Sequence, residues 1–246
     1  MKNFFAKAWE KFIELLFPSN LKCFICNRDI PADENKTYCD HCAANAPFNK
    51  NHRCKVCDTE IIGDSEVCDF CQSHHRAFNK AVAPMKYEGD IKNLVLKLKS
   101  DNAKYLAPKM AKLMADRILE EGLDVDVIIP VPLSPKSLKK RGYNQSELLA
   151  NEIGKILNKD VCISALSKIK DTAHQKELTF LDRQKNLHDA FKVTDKKVVF
   201  GKNVLLVDDV ITTCATANEC SKALNKFTKR VYVVSFARSE YKNLEK

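Results

Sequence analysis

Along residues 77–246, short apolar runs alternate with stripes of apolar positions at helical spacing, and this alternation predicts an α/β sheet domain. Val125 to Val131 and Val231 to Ala237 are mostly apolar runs of strand length. Leu106, Met110, Leu113, Met114 and Ile118 mark one helix, and Leu148 to Leu157 mark another. A further apolar run, Val204 to Val207, leads directly into Asp208, Asp209, Val210 and Ile211, then into the small, hydroxyl-rich loop Thr212-Thr213-Cys214-Ala215-Thr216. Behind that loop Ala217, Cys220, Leu224 and Phe227 form the stripe of an amphipathic helix packed on a sheet. Residues 1–17 carry a second kind of pattern, with Phe5, Trp9, Phe12, Ile13 and Leu16 on one stripe and Lys7, Glu10, Lys11 and Glu14 between them, closed by Pro18. No run is long and apolar enough to span a bilayer, so nothing is expected to cross a membrane. Mixed acids and bases on the polar face favour docking of this helix on the protein body or a partner over an interfacial membrane helix, with a peripheral role at the inner membrane left open.

The intervening stretch is different in kind. Eight of the eleven cysteines form four Cys-x-x-Cys pairs: Cys23/Cys26, Cys39/Cys42, Cys54/Cys57 and Cys68/Cys71. Pairs at this spacing are metal knuckles, and two of them close one tetrahedral Zn²⁺ site. An internal repeat sets the pairing. Cys26-Asn27-Arg28-Asp29-Ile30 with Asp33 before Cys39 echoes Cys57-Asp58-Thr59-Glu60-Ile61 with Asp64 before Cys68. Cys23, Cys26, Cys39 and Cys42 are therefore assigned to one structural zinc, and Cys54, Cys57, Cys68 and Cys71 to another. Full Cys₄ shells leave no open position for catalysis. A disulfide framework belongs to oxidising compartments, whereas the chain shows no cleavable signal peptide; a cytoplasmic location is expected. Few large aliphatics lie in this stretch, so metal binding must supply its folding free energy and chelation should unfold it. The expected organisation is an amphipathic helix over 1–17, a zinc module over 18–76 and the sheet domain over 77–246.

The formal charge of +9 resembles a nucleic-acid footprint. Each Zn(Cys)₄ site carries −2, however, which brings the balance to about +5 and makes it only modest support for a polyanionic partner. Phe24, Tyr38, Phe48, Phe70 and Phe78 offer stacking platforms for bases or, equally, a miniature core. Of the remaining thiols, Cys220 is expected in the core, Cys162 lies in an apolar stretch, and Cys214, at a helix N-terminus, is the one placed to be reactive.

The chemistry concentrates at the end of the Val204 strand. Paired carboxylates accept hydrogen bonds from vicinal hydroxyls, and successive backbone N–H groups of Thr212, Thr213, Cys214, Ala215 and Thr216 at a helix start cradle a phosphate. These residues resemble the ribose-phosphate signature of the type I phosphoribosyltransferases, an apolar strand, two acids and a Thr-Thr-Gly-x-Thr-like loop. Cys214 departs from that pattern, which most often has Gly there; a loop needing φ > 0 at this point would be strained by a Cβ.

A second segment narrows the resemblance. Ile129-Pro130-Val131-Pro132-Leu133 stops at prolines and opens into a basic, polar loop containing Lys136, Arg141, Gly142, Tyr143, Asn144 and Gln145, suited to pyrophosphate. Asn144 with Glu147 also reads as a helix N-cap and capping box. The Pro-Val-Pro and Arg-Gly-Tyr-Asn-Gln pattern is similar to the ComF family, linked to DNA uptake in bacterial competence, whose members join a double zinc ribbon to a phosphoribosyltransferase domain. Gln175, Leu178, Arg183, Asn186 and Ala190-Phe191 match that family's segment between the central helix and the ribose-phosphate strand, and Lys99 matches another recurring basic position.

The resemblance implies a type I phosphoribosyltransferase-like parallel sheet flanked by helices, preceded by a small zinc-ribbon module. It also implies binding of phosphoribosyl pyrophosphate (PRPP) with Mg²⁺. Asp208 and Asp209 would hold ribose hydroxyls or the Mg²⁺ water shell, the 212–216 loop the 5′-phosphate, and Lys136, Arg141 and Arg183 the pyrophosphate, with Lys99, Asn144 and Gln145 in the same site. Arg183, Asp208 and Asp209 are the catalytic candidates for phosphoribosyl transfer, to an acceptor that no feature identifies. A rival reading makes the chain a competence factor that binds single-stranded DNA, with a non-catalytic PRPP site as a sensor. A third makes it a purely structural adaptor for membrane transport machinery, with the helix over 1–17 as its docking surface and other competence proteins as partners.

Overall fold

The computed structural model describes residues 22–31, 37–100, 103–170 and 187–240. The expected helix over 1–17, and Gln175, Leu178, Arg183 and Asn186, lie outside the described residues. Two compact units are present, residues 1–46 and residues 47–246.

The cysteine repeat of the sequence is also a repeat of backbone geometry. In the first copy Cys23 N donates to Arg28 O at 2.7 Å, Asn27 N donates to Cys23 O at 2.8 Å, and Lys22 bridges Asp29. In the second, Cys54 N donates to Thr59 O at 2.8 Å, Asp58 N donates to Cys54 O at 3.0 Å, and Arg53 bridges Glu60. Each knuckle turns through a left-handed residue, Asn27 at φ 62° and Asp58 at φ 58°, residue types that tolerate this region. The third cysteine of each set is the N-cap of a short helix: Cys39 for α1 (Asp40–Asn45) and Cys68 for α2 (Asp69–Ser73).

The larger unit is built on a parallel sheet ordered β1 (Lys80–Val82), β8 (Arg230–Arg238), β7 (Asn203–Ile211), β3 (Val127–Pro130) and β4 (Asp160–Val161), with β2 (Met85–Lys86) continuing along β8. A separate antiparallel ribbon pairs β5 (Leu166–Lys168) with β6 (Phe191–Val193). Helix α3 (Gly89–Ser100) precedes α4 (Ala107–Glu120), and α4 packs on α6 (Gln145–Leu157). Between β3 and α6 lies the short α5 (Pro135–Arg141), and α7 (Lys196–Val199) leads into β7. Strands alternate faces, so Val127, Ile129, Val204, Leu206, Val231 and Val233 share one core with Ala217, Cys220 and Leu224 of α8 (Ala215–Leu224). Ile128, Leu205, Val207 and Val234 are buried too, which explains why these strands read as nearly unbroken apolar runs.

Cys54 and Cys57 belong to that core, with Phe78 and Ala81. The unit boundary therefore falls between the two cysteine repeats, and the second repeat is part of the sheet unit. Ala81 N donates to Val56 O at 2.8 Å, and the Asp58 carboxylate accepts from Ala83 N at 2.8 Å. The same carboxylate pairs with Arg53 at 3.3 Å and with Arg117 at 3.5 Å, while Glu240 accepts from Arg53, Thr59 Oγ1 and Glu60 N. Asn27, the counterpart of Asp58 in the first repeat, carries no charge for such a network.

Strand β7 runs four residues beyond the apolar stretch that announced it. Opposite it, β8 keeps pairing, Asp208 with Ser235, Val210 with Ala237 and Ile211 with Arg238. On its other edge β3 stops at Pro130, opposite Val207, and Val131 N makes the last bond to Val207 O at 2.9 Å. The sheet thus opens beside Asp208 while the strand itself continues.

Candidate functional site

The two acids of β7 find different partners. Asp208, half-buried, accepts from Ser146 Oγ at 3.0 Å in the first turn of α6 and from Asp209 N at 2.9 Å. Asp209 is buried, and its Oδ1 is 3.0 Å from Lys99 Nζ near the end of α3. Its Oδ2 is buried and has no hydrogen-bond partner among the described residues. Burial and the adjacent Asp209 carboxylate push the Asp208 carboxyl up to about 7, against the pull of Lys99. For Lys99, burial works against the charge, but attraction to Asp209 outweighs it and holds the ammonium above its ordinary value. One lysine thus balances part of a double negative charge.

Beyond Ile211 the chain enters the Thr212–Cys214 loop and starts α8 at Ala215. Thr213 is buried, and its hydroxyl accepts from Ala215 N at 3.3 Å, tying the loop to the helix start. Cys214 has φ 63° and ψ 7°, the left-handed conformation that Cys in place of Gly makes a matter of strain. Thr212 and Thr216 are half-exposed at the two ends. The expected reactivity of Cys214 is not realised. Its thiol is buried, and the neighbouring Cys57 sulfur together with burial pushes it well above the ordinary thiol range.

The basic loop after β3 is built as capped helices. Ser134 Oγ accepts from Ser137 N at 3.3 Å to start α5, and Gly142 at φ 78° ends it. Lys136 stands exposed in the first turn, and Arg141, in the last, hydrogen-bonds Gln145. Asn144 caps α6 by accepting from Ser146 N at 3.1 Å and donates to Val131 O at 3.1 Å, so the expected cap is present. The cap positions Ser146 toward Asp208, and the cation of Lys99 comes from α3 to the other acid. Lys99, Asn144, Asp208 and Asp209 are thereby linked through Ser146 and the end of β3. Arg183 lies outside the described residues.

Each cysteine set brings its four sulfurs within 4.8 Å of one another. Cys26 and Cys39 are 3.7 Å apart, as are Cys57 and Cys68. Tetrahedral zinc with Zn–S near 2.3 Å requires S–S edges of roughly 3.8 Å. Backbone N–H groups of Cys39 and Cys68 point at Cys23 Sγ and Cys54 Sγ, at 3.3 and 3.4 Å, donors suited to thiolates. The residues fit two structural zinc sites, paired as the repeat required.

A family model described as a double zinc ribbon domain matches residues 12–72, which include both cysteine sets. Competence protein F of Haemophilus influenzae is 31% identical over 222 residues, covering 82% of this chain and 96% of that protein. The chain belongs to the ComF family. The DNA utilization protein YhgH of Salmonella typhimurium is 28% identical over 207 residues, covering 82% of this ComF-family chain and 89% of that protein. Among solved structures, the glutamine PRPP amidotransferase of B. subtilis complexed with ADP and GMP aligns at 20% identity and a TM-score of 0.34, over 52% of this chain and 25% of that one.

Two residues at the site of this ComF protein escaped sequence reasoning. Ser146 was hidden next to the Asn144-Gln145 pair. Arg238 ends β8 fully buried, with Nη1 3.2 Å from Thr212 O; its one sequence signal was a cation closing an apolar strand. Two of the aromatics are not stacking platforms: Phe24 and Phe78 are buried. Phe70 already stacks on His74 at 4.4 Å with the Arg76 guanidinium 4.4 Å from its ring. Among the described residues no helix is long and apolar enough to cross a membrane.

Proposed function

We propose that this ComF-family chain binds PRPP with Mg²⁺ at residues 208–216 and acts in the cytoplasm in DNA uptake. The observation that carries the reading is the buried Asp209 Oδ2, without a hydrogen-bond partner among the described residues, beside Asp208 on the strand that feeds the Thr212–Thr216 loop and the start of α8. A ribose hydroxyl or a Mg²⁺-bound water would complete that oxygen, and Mg²⁺ is ordinarily held by one or two carboxylates plus substrate phosphates. The 5′-phosphate would sit on the N–H groups at the helix start. Lys136 and Arg141 are the cations for pyrophosphate, with Arg183 added from the segment that matches the family between the central helix and the ribose-phosphate strand. Transfer would break the bond from the anomeric carbon to pyrophosphate and form one to an acceptor nucleophile, the pyrophosphate leaving with its charge matched by these cations. The role in DNA uptake is supported by the names of the relatives, Competence protein F and a DNA utilization protein.

Calorimetric titration of the zinc-loaded protein with PRPP and Mg²⁺ tests the reading. Saturable binding is expected, weakened at least tenfold in Asp208→Asn/Asp209→Asn, about 1.4 kcal/mol or more. A folded wild-type protein that gives no binding would overturn it.

A further inference from the structure

Arg238 touches two places that the sequence keeps far apart. Its Nη1 donates to Thr212 O at 3.2 Å and to Cys214 Sγ at 3.3 Å, in the phosphate-type loop. Its Nη2 donates to Cys57 Sγ at 3.6 Å, in the second cysteine set. Arg238, Cys57 and Cys214 are all buried, so water is not on hand to replace these contacts. The following residues continue the clasp: Ser239 N donates to Ile211 O at 2.9 Å, and Glu240 accepts from Thr59 Oγ1 and Glu60 N beside the same knuckle.

The loop needs such support, because Cys214 holds a left-handed backbone that a side chain disfavours. A metal bound by Cys54, Cys57, Cys68 and Cys71 fixes the Cys57 sulfur in place as a thiolate, and a thiolate accepts a charge-assisted hydrogen bond from a guanidinium. The planar fork of Arg238 transmits that fixed position to Thr212 and Cys214. We infer that Arg238 is a positioning residue through which metal occupancy of the second cysteine set holds the 212–216 loop in its phosphate-binding shape. Metal and sugar phosphate then bind with positive, reciprocal coupling. This inference rests on the PRPP reading of the loop for its ligand, and on the contacts of Arg238 for its mechanism.

The test uses the full-length zinc-loaded protein, with cysteine alkylation under chelator challenge read residue by residue by mass spectrometry. Saturating PRPP and Mg²⁺ should slow alkylation of Cys54, Cys57, Cys68 and Cys71 by about fivefold or more, measured against the Cys23 set as internal reference. Arg238→Met should abolish that protection. Cys214→Gly, which relieves the backbone and removes the sulfur that accepts from Arg238, should speed alkylation of the second set about fivefold without ligand, and Cys214→Ser, which keeps an acceptor for Arg238, should restore it. Calorimetric binding with unchanged alkylation of the second set would overturn the coupling. If the wild type gives no calorimetric binding, the PRPP reading fails, and the ligand-free Cys214→Gly and Cys214→Ser pair still decides the link: equal rates in both variants and the wild type would sink it. The same pair decides the matter should Arg238→Met fail to fold.

Discussion

Removing the Lys99 ammonium should turn the acid pair from a balanced site into a pH-dependent weakness. The lysine nitrogen is 3.0 Å from Asp209 Oδ1, with side chains 29% and 5% exposed. At that separation and an effective dielectric constant near 20, the gross attraction is about 5–6 kcal/mol. Part of it only offsets the desolvation of the two ions, and breaking such a pair costs about 3–5 kcal/mol. Partial exposure of Lys99 puts Lys99→Met at the lower end, about 3 kcal/mol. Without the lysine, the two carboxylates can relieve their repulsion by retaining a proton. The Asp208 carboxyl already stands at about 7, raised from 3.8, and the pair in the variant must stand higher. A carboxyl raised in the folded state contributes stability that is present below its unfolded value and lost as pH rises through its folded value. The cost should therefore be smaller at pH 5 than near pH 8.5, where it reaches about 3 kcal/mol, roughly 6–12 °C in melting temperature for a unit of this size. Urea unfolding of wild type and Lys99→Met, followed by circular dichroism at both pH values with zinc saturating, reads this directly. Equal losses at pH 5 and pH 8.5, or none at pH 8.5, would refute the reasoning.

Binding of Mg²⁺ and PRPP should strengthen as pH rises toward 7 and level off above it, because a cation must displace the Asp208 proton; the limit is about tenfold per pH unit, and a calorimetric affinity unchanged from pH 5.5 to 8 would count against the assignment. Gly154→Ala should destabilise by about 1–2 kcal/mol. An added Cβ would lie 2.5 Å from Val161 Cγ2 and 2.9 Å from the Lys159 carbonyl oxygen, an overpacking cost larger than the roughly 1 kcal/mol that Ala gains in a helix; a raised melting temperature would contradict it. Asp58→Asn should cost about 3 kcal/mol, since it leaves Arg117 and Arg53 without their shared buried carboxylate, and a thermal shift under about 1 °C would show that Glu240 and Glu121 compensate.

Much of this protein was legible without coordinates where the relevant physics is local. Thiolate spacing within a knuckle and the echo of one repeat in the other sufficed to pair the cysteines correctly, since a zinc ligand set is specified by a few bonds of known length. Apolar runs and helical stripes likewise marked the strands around Val127, Val204 and Val231 and the helices around Met110, Leu149 and Cys220, because burial on both faces leaves a continuous signal. The Asn144 cap was readable for the same reason, its hydrogen bond spanning two residues.

Contacts between residues distant in sequence were beyond that kind of reading. Nothing local says that β7 continues through both acids, which depends on β8 pairing as far as Arg238. Nor does a lysine at the end of one helix declare that it meets Asp209, or a knuckle that it shares a core with the sheet. By itself the sequence determined the grouping of the cysteines into two sets that fit zinc, the order of elements and the acid-and-hydroxyl segment, all written in spacings of a few residues. Only the tertiary structure decided the partner of each acid and the division of the two repeats between units. It also decided the joining of Cys57 to Cys214 through Arg238, because buried charges and sulfurs are satisfied by whatever the packed chain brings within hydrogen-bond reach.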